Sequence, residues 1–320
     1  MNIYLDCIPC FLRQSLEAAR NVTDDARVHE QILRDVLCMT AELDLNQPPP
    51  FVGQAIHRRL RELTGVEDPY QVAKRHFNRL AIDALPELRA AVRQAPDPLL
   101  AAATYAIAAN AIDMGIASAY TTSEIRAALQ GATREALFGD WVEFRAAVAG
   151  ASAILYLADN AGEIVIDRLF IEELGPERVT LAVRGAPVLN DATVDDAREA
   201  GLQDVVEVID NGSDAPGTIL ADCSDSFRQR FIQADLVIAK GQGNFETLSG
   251  AEGNLIFLFK VKCPVIAGYV GLPLGTHALI HKAGGRPCHH AAKENDDRRN
   301  LQAEDDCSSQ RRKMYRQLST

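Results

Sequence analysis

The hydrophobic period of this chain changes near residue 150, and the change limits the folds open to it. Up to that point apolar residues recur at three- and four-residue spacing: Phe11, Leu12 and Leu16, then Val28, Ile32, Val36 and Leu43. This is the spacing of amphipathic helices. Beyond it come short apolar runs: Ala153–Leu157, Val179–Val183, Val205–Ile209, Leu236–Ala239, Leu255–Phe259 and Val265–Ala267. Between most of them lie segments of helical spacing, such as Ile164–Leu174 and Ala192–Ala200. Strands alternating with helices predict an α/β fold, a parallel sheet covered on both faces. Functional groups in such sheets sit in the loops beyond the carboxyl ends of the strands.

Local signals mark the helical half. Asp68-Pro69 and Asp97-Pro98 each predict a helix start, with a capping carboxylate before a proline at the first helical position. Gly65 and Pro86 predict stops. From about Gly284 the chain turns polar and charged, and residues 285–320 read as a disordered tail. Its Cys288-His289-His290 triplet has no second ligand pair at metal-site spacing.

Composition excludes several classes. The 320 residues are 47% hydrophobic, enough for a large core in one large domain or two small ones. The net charge of -11 argues against a nucleic-acid groove, which needs clustered Lys and Arg. The basic clusters Arg58-Arg59-Leu60-Arg61 and Arg311-Arg312-Lys313 are short and read as solvated faces. No run approaches the roughly 18 apolar residues of a membrane span, and the opening residues lack a signal-peptide pattern. A soluble, cytoplasmic protein without membrane or nucleic-acid partners is expected. The seven cysteines are odd in number and scattered, which argues against a disulfide framework.

Three loops carry the chemistry. Strand Ala153–Leu157 runs into Asp159-Asn160-Ala161-Gly162-Glu163, at a helix N-terminus where Asp and Asn also serve as caps. Strand Val179–Val183 leads to Asn190-Asp191, again ligands or caps. A later strand ends in Lys240-Gly241-Gln242-Gly243-Asn244-Phe245-Glu246, a glycine turn or a phosphate cradle headed by a lysine. All three belong on one rim. Asp and Asn oxygens suit a hard cation such as Mg²⁺ or Mn²⁺, and lysine with loop amides suits the phosphate it bridges. Together they point to metal-assisted phosphoryl transfer to water.

These motifs resemble the signatures of the DUF89 (ARMT1-like) damage-control phosphatases. Cys7-Ile8-Pro9-Cys10 resembles the CxxC of the archaeal and bacterial subgroup. Asp68-Pro69-Tyr70 and Ala109-Asn110-Ala111-Ile112-Asp113-Met114-Gly115 resemble further family segments, so that the match spans roughly residues 1 to 280 in order. Ala109 departs from the glycine that relatives often carry there. The resemblance implies a three-layer α/β/α domain, 151–284, preceded by a helical region, 1–150, forming a wall or lid of the pocket. It implies one divalent metal (Mn²⁺, Ni²⁺, Co²⁺ or Mg²⁺) and hydrolysis of small phosphorylated metabolites.

By motif match, Asp159, Asn160 and Asp191 would hold the metal, with Asp159, Asn160 and Lys240 catalytic. Asn110, Asp113, Gln242, Gly243, Asn244, Glu246 and Lys262 would touch the substrate. Glu163 could position the attacking water or brace a ligand from behind, or simply favour the helix dipole. Cys7 and Cys10 are candidates for redox or metal chemistry, or for packing on a helix face. Water or Asp159 itself could be the nucleophile, and water is favoured because a metal-bound carboxylate is the poorer one. Two other readings compete. One is a non-catalytic metal or sugar-phosphate binder. The other is a Rossmann-like nucleotide-binding or methyl-transfer enzyme, weakened because Gly241 and Gly243 lack a third glycine.

Overall fold

The computed structural model describes residues 1–110, 131 and 137–283. Asp113 and the polar tail lie outside them. Five helices come first: α1 (Cys7–Val22), α2 (Ala26–Ala41), α3 (Pro49–Thr64), α4 (Gln71–Gln94) and α5 (Pro98–Ala109). Then follow β1 (Leu137–Phe138), α6 (Trp141–Gly150), β2 (Ile154–Leu157), α7 (Glu163–Leu174), β3 (Val179–Val183), α8 (Val194–Glu199) and β4 (Glu207–Asp210). The chain continues through α9 (Asp225–Gln233), β5 (Leu236–Lys240), α10 (Gly241–Leu248), β6 (Leu255–Lys260), α11 (Pro264–Val270) and β7 (His277–Lys282).

The seven strands form one sheet in the order β1-β7-β6-β5-β2-β3-β4. Strands β6-β5-β2-β3-β4 are parallel, and β7 runs antiparallel to β6. Alternation along each strand builds the two sides of the sheet. Ile154, Tyr156, Leu181, Leu236 and Ile238 face α4, α5 and α7 in one core. Leu155, Leu157, Val237, Ala239 and Phe257 face α9, α10 and α11 in a second. This is the expected three-layer α/β/α arrangement with a helical N-terminal region. A third core, around Ile3, Phe11, Ile32, Val36, Val52 and Ile56, joins α1, α2 and α3.

Four local readings need correction. Val265–Ala267 lies in helix α11, where Pro264 takes the first helical position and Cys263 caps. Pro86 sits inside α4 and does not stop it. Its neighbours Leu85 and Leu88 are both buried, and that packing outweighs the lost backbone hydrogen bond. Asp68 caps the turn before α4 by accepting from Tyr70 N at 2.9 Å, so the helix starts at Gln71. Asp97 does cap α5, accepting from Leu100 N. The strand expected at Val205–Ile209 begins instead at Glu207, after a single 3₁₀ turn over Leu202–Asp204. Two strands the pattern did not predict, β1 and β7, complete the sheet, and β1 comes from before residue 150.

Candidate active site

The central strands β2 and β3 are neighbours, and their outgoing loops are stitched together. Ala161 N donates to Asn190 O at 2.8 Å and Ala192 N to Asp159 O at 2.8 Å, which pairs Asn160 with Asp191 as an isolated antiparallel bridge. Asp159 and Asn160 thereby meet Asp191, some thirty residues on, at the carboxyl ends of two adjacent strands. The turn into this bridge is strained: Leu189, at φ 46°, is the one non-glycine with positive φ among the described residues. Gly162, at φ 76°, starts α7, and its N–H donates to Asn78 Oδ1 of α4 at 2.6 Å. A side chain at Gly162 would strike Phe77.

The neighbouring groups are largely charged and buried. Asp159, Glu163, Asp167, Asp191, Arg184 and Lys240 are all buried. Arg184 Nε donates to Asp191 Oδ2 at 2.6 Å, and its Nη2 lies 3.9 Å from Asp159 Oδ1 without a hydrogen-bond partner. Lys240 Nζ lies 2.7 Å from Glu163 Oε1 and 2.6 Å from Asp167 Oδ1. Asn110, at the end of α5, donates from Nδ2 to Asp159 Oδ2 at 2.6 Å and to Glu163 Oε2 at 2.9 Å. Asn160 Nδ2 makes the same pair of bonds at 2.7 and 3.0 Å.

Burial pushes the Asp159 carboxyl well above the usual carboxylate range, and repulsion from Glu163 and Asp191 adds to it. Lys262 and Arg184 pull the other way. Burial also raises Asp191, against the pull of Arg184. For Lys240 burial favours loss of the proton, but Asp167 and Glu163 outweigh it and hold the ammonium well above its ordinary value.

The residues present fit a divalent cation. Four buried carboxyl groups (Asp159, Glu163, Asp167, Asp191) cluster with Lys240 and Arg184, so the site is rich in hard oxygen donors. Asn110 Oδ1 is buried with no hydrogen-bond partner. Hard oxygens from Asp and Asn are the donors such a cation takes. Among the described residues no group of three or more His, Cys, Asp and Glu side chains is arranged to hold a metal, so carboxamide oxygens would complete the set.

The remaining candidates divide. Asn244 is fully buried beneath the site. Its Nδ2 donates to Lys240 O at 2.7 Å and its Oδ1 accepts from Thr218 Oγ1 at 2.8 Å. Gly243 packs backbone to backbone on Pro216 and Gly217. Lys262 is exposed, with its charge acting on Asp159. Gln242 Nε2 donates to Glu246 Oε1 at 2.8 Å and to Cys263 Sγ at 3.7 Å. Burial pushes Glu246 up to about 7. Cys7 lies within electrostatic reach of Glu246, Cys263 and Cys10, so the CxxC borders the glycine loop. Arg184 was not singled out in the sequence. The signal was its position directly after β3, where the other site loops also begin.

Comparison with known proteins identifies the family. A model of the damage-control phosphatase ARMT1-like domain matches residues 3–277. The chain belongs to the ARMT1-like (DUF89) damage-control phosphatase family. It is 34% identical over 275 residues to a damage-control phosphatase of Archaeoglobus fulgidus, covering 84% of this chain and 95% of that protein. It is 30% identical over 281 residues to one from Pyrococcus horikoshii, covering 86% and 96%. An uncharacterized protein of Methanocaldococcus jannaschii is 32% identical over 292 residues, 87% and 94%. The crystal structure of a DUF89 family protein from P. horikoshii superposes with a TM-score of 0.79 at 29% identity, covering 87% of this chain and 98% of that one. Membership makes this ARMT1-like chain, in general terms, a phosphatase of damaged metabolites. Among its described residues no helix is long and apolar enough to cross a membrane.

Proposed function

We propose that this chain hydrolyses phosphate monoesters of small metabolites, sugar phosphates or damaged phospho-metabolites, with one divalent cation held by Asp159, Asn160 and Asp191. The observation that carries the reading is the Asn160–Asp191 pairing, which sets these three side chains side by side in a buried, carboxyl-rich site. When bound, the cation supplies positive charge at a phosphoryl oxygen and a more acidic water.

The protein's own groups do the rest. Arg184 Nη2, which lacks a hydrogen-bond partner, and the exposed Lys262 offer positive charge to the equatorial oxygens of the phosphoryl group. Asn110 contributes a buried carboxamide from the helical layer. Gln242 and Glu246, joined to each other on α10, line the side toward Lys262 and meet the leaving group. Lys240 is held away from this rim by Glu163 and Asp167.

The test is direct. Metal-stripped protein is assayed on p-nitrophenyl phosphate and a panel of sugar phosphates, with Mg²⁺, Mn²⁺, Co²⁺ or Ni²⁺ added back. Metal-restored phosphate release is expected, and Asp159→Ala should abolish it while the far-ultraviolet circular dichroism stays unchanged. No restored release with any of the four ions would overturn the proposal.

A further inference from the structure

We infer that Lys240 is an internal counter-ion that sets the direction of two carboxamides, Asn110 and Asn160, through Glu163, and is not a ligand for the substrate's phosphate. The inference rests on the cation reading above and concerns how the protein prepares that site.

Lys240 has no proton to offer a substrate. Its ammonium carries three, and three acceptors surround it: Glu163 Oε1 at 2.7 Å, Asp167 Oδ1 at 2.6 Å and Ala106 O at 2.9 Å. The side chain is 0% exposed. Strand alternation explains the direction. Lys240 is the last residue of β5 and shares a face with Leu236 and Ile238, the face covered by α5 and α7.

Glu163 passes the constraint on. Its Oε1 is taken by Lys240, and its Oε2 accepts from both Asn110 Nδ2 and Asn160 Nδ2. Each of these amide nitrogens gives its other proton to Asp159 Oδ2. A carboxamide nitrogen has two protons, and here both are spent on carboxylates. The two amide oxygens are therefore turned away from Glu163 and Asp159. For Asn110 that oxygen is buried and unpartnered, as an acceptor reserved for a ligand would be.

The arrangement depends on charge. Glu163 and Asp167 stand one helical turn apart on α7, both buried. Without Lys240 they repel each other, and Glu163 also repels Asp159. Lys240 occupies Glu163 Oε1 and so leaves Oε2 to accept from both amides, which keeps both carboxamides facing one way. Lys240 and Glu163 are thus positioning residues, acting through Asn110 and Asn160.

The test is calorimetric titration of metal-free full-length protein with Mn²⁺ alone, beside the melting temperature of the metal-free state. Glu163→Gln is nearly isosteric but places an amide where two donors converge. It should weaken Mn²⁺ binding about 10–100-fold, the usual effect of losing a group that orients metal ligands. Asp167→Asn should cause a smaller loss. Lys240→Met should match Glu163→Gln. If Lys240→Met fails to fold, the other two variants carry the test. At saturating Mn²⁺, competitive inhibition by inorganic phosphate should be unchanged in Asp167→Asn and in any folded Lys240→Met. Folded Glu163→Gln that binds Mn²⁺ as tightly as wild type would overturn the inference. So would a Lys240→Met variant that loses phosphate affinity and keeps Mn²⁺ affinity. Wild-type protein that takes up no Mn²⁺ would instead overturn the cation reading, and this inference with it.

Discussion

Gly241 lies so close beneath the Asp159 carboxylate that any side chain at position 241 would overlap it. The backbone there also has φ 80°, a region L-residues avoid. Gly241→Ala should therefore cost about 1–2 kcal/mol from the backbone alone, and displace Asp159 as well. Phosphatase activity should fall at least about tenfold, since catalytic geometry tolerates little displacement. Gly250→Ala is the control, because nothing lies near that position. Steady-state kinetics and thermal melts of the two variants decide it, and a fully active Gly241→Ala would count against the placement of Asp159.

Arg184 ties the site together through a fork that lysine cannot reproduce. Its Nε holds Asp191, and its Nη1 reaches Thr218 Oγ1 and Asn244 Oδ1, each at 3.3 Å. Arg184→Lys keeps the charge but loses the bidentate geometry. The expected result is a loss of about 100-fold in kcat/KM, about 3 kcal/mol of transition-state stabilisation. Wild-type kinetics in this variant would show that Arg184 only braces Asp191.

Much of this geometry was legible in the sequence, for physical reasons that also explain the rest. Leu236–Ala239 is buried on both faces and reads as a continuous apolar run, and Val179–Val183 is broken only by half-buried Thr180. Asp159, Asn160 and Asp191 were legible because central parallel strands deliver their outgoing loops to one rim. Val265–Ala267 misled because a short apolar run fits a buried helix as well as a strand. Strand β7 begins and ends in His277 and Lys282, which hide it, and β1 is only two residues long, paired with β7. Lys240 was read with the loop that follows it, although it is the last residue of strand β5 and pairs with Glu163 and Asp167. Period-two alternation would have pointed it at α7.

Asp214 fastens the three-helix layer to the sheet. From the loop after β4 it accepts from Arg58 Nε at 3.0 Å, Arg58 Nη2 at 2.6 Å and Gln54 Nε2 at 2.7 Å, and it also pairs with Arg61. Burial alone would raise its pKa, yet the bonds from Arg58 and Gln54 hold it below the usual value. Asp214→Ala leaves Gln54, which is buried, and Arg61, at 16% side-chain exposure, short of an acceptor. Urea unfolding should show a loss of about 2–3 kcal/mol. Unchanged stability would mean that the apolar cores alone join the layers.

His57 makes the same joint sensitive to acid. The ring is 4% exposed on α3, 6.0 Å from the Tyr70 ring. Burial lowers its pKa to about 4, the neighbouring Arg61 adds to that, and Asp214 opposes it. At pH 7.5 the ring is neutral in both folded and unfolded chains, so it contributes no pH dependence there. As pH falls below about 6.5 the unfolded chain takes up a proton that the folded chain refuses, and stability drops. The drop continues until the folded ring itself titrates near 4, and amounts in full to about 3 kcal/mol. By pH 5 about 2 kcal/mol of it should be lost. Urea midpoints at pH 7.5 and 5.0 for wild type and His57→Gln isolate this share, since the variant should lose about 2 kcal/mol less on acidification. Equal losses in the two proteins would show that the folded state accommodates a charged His57.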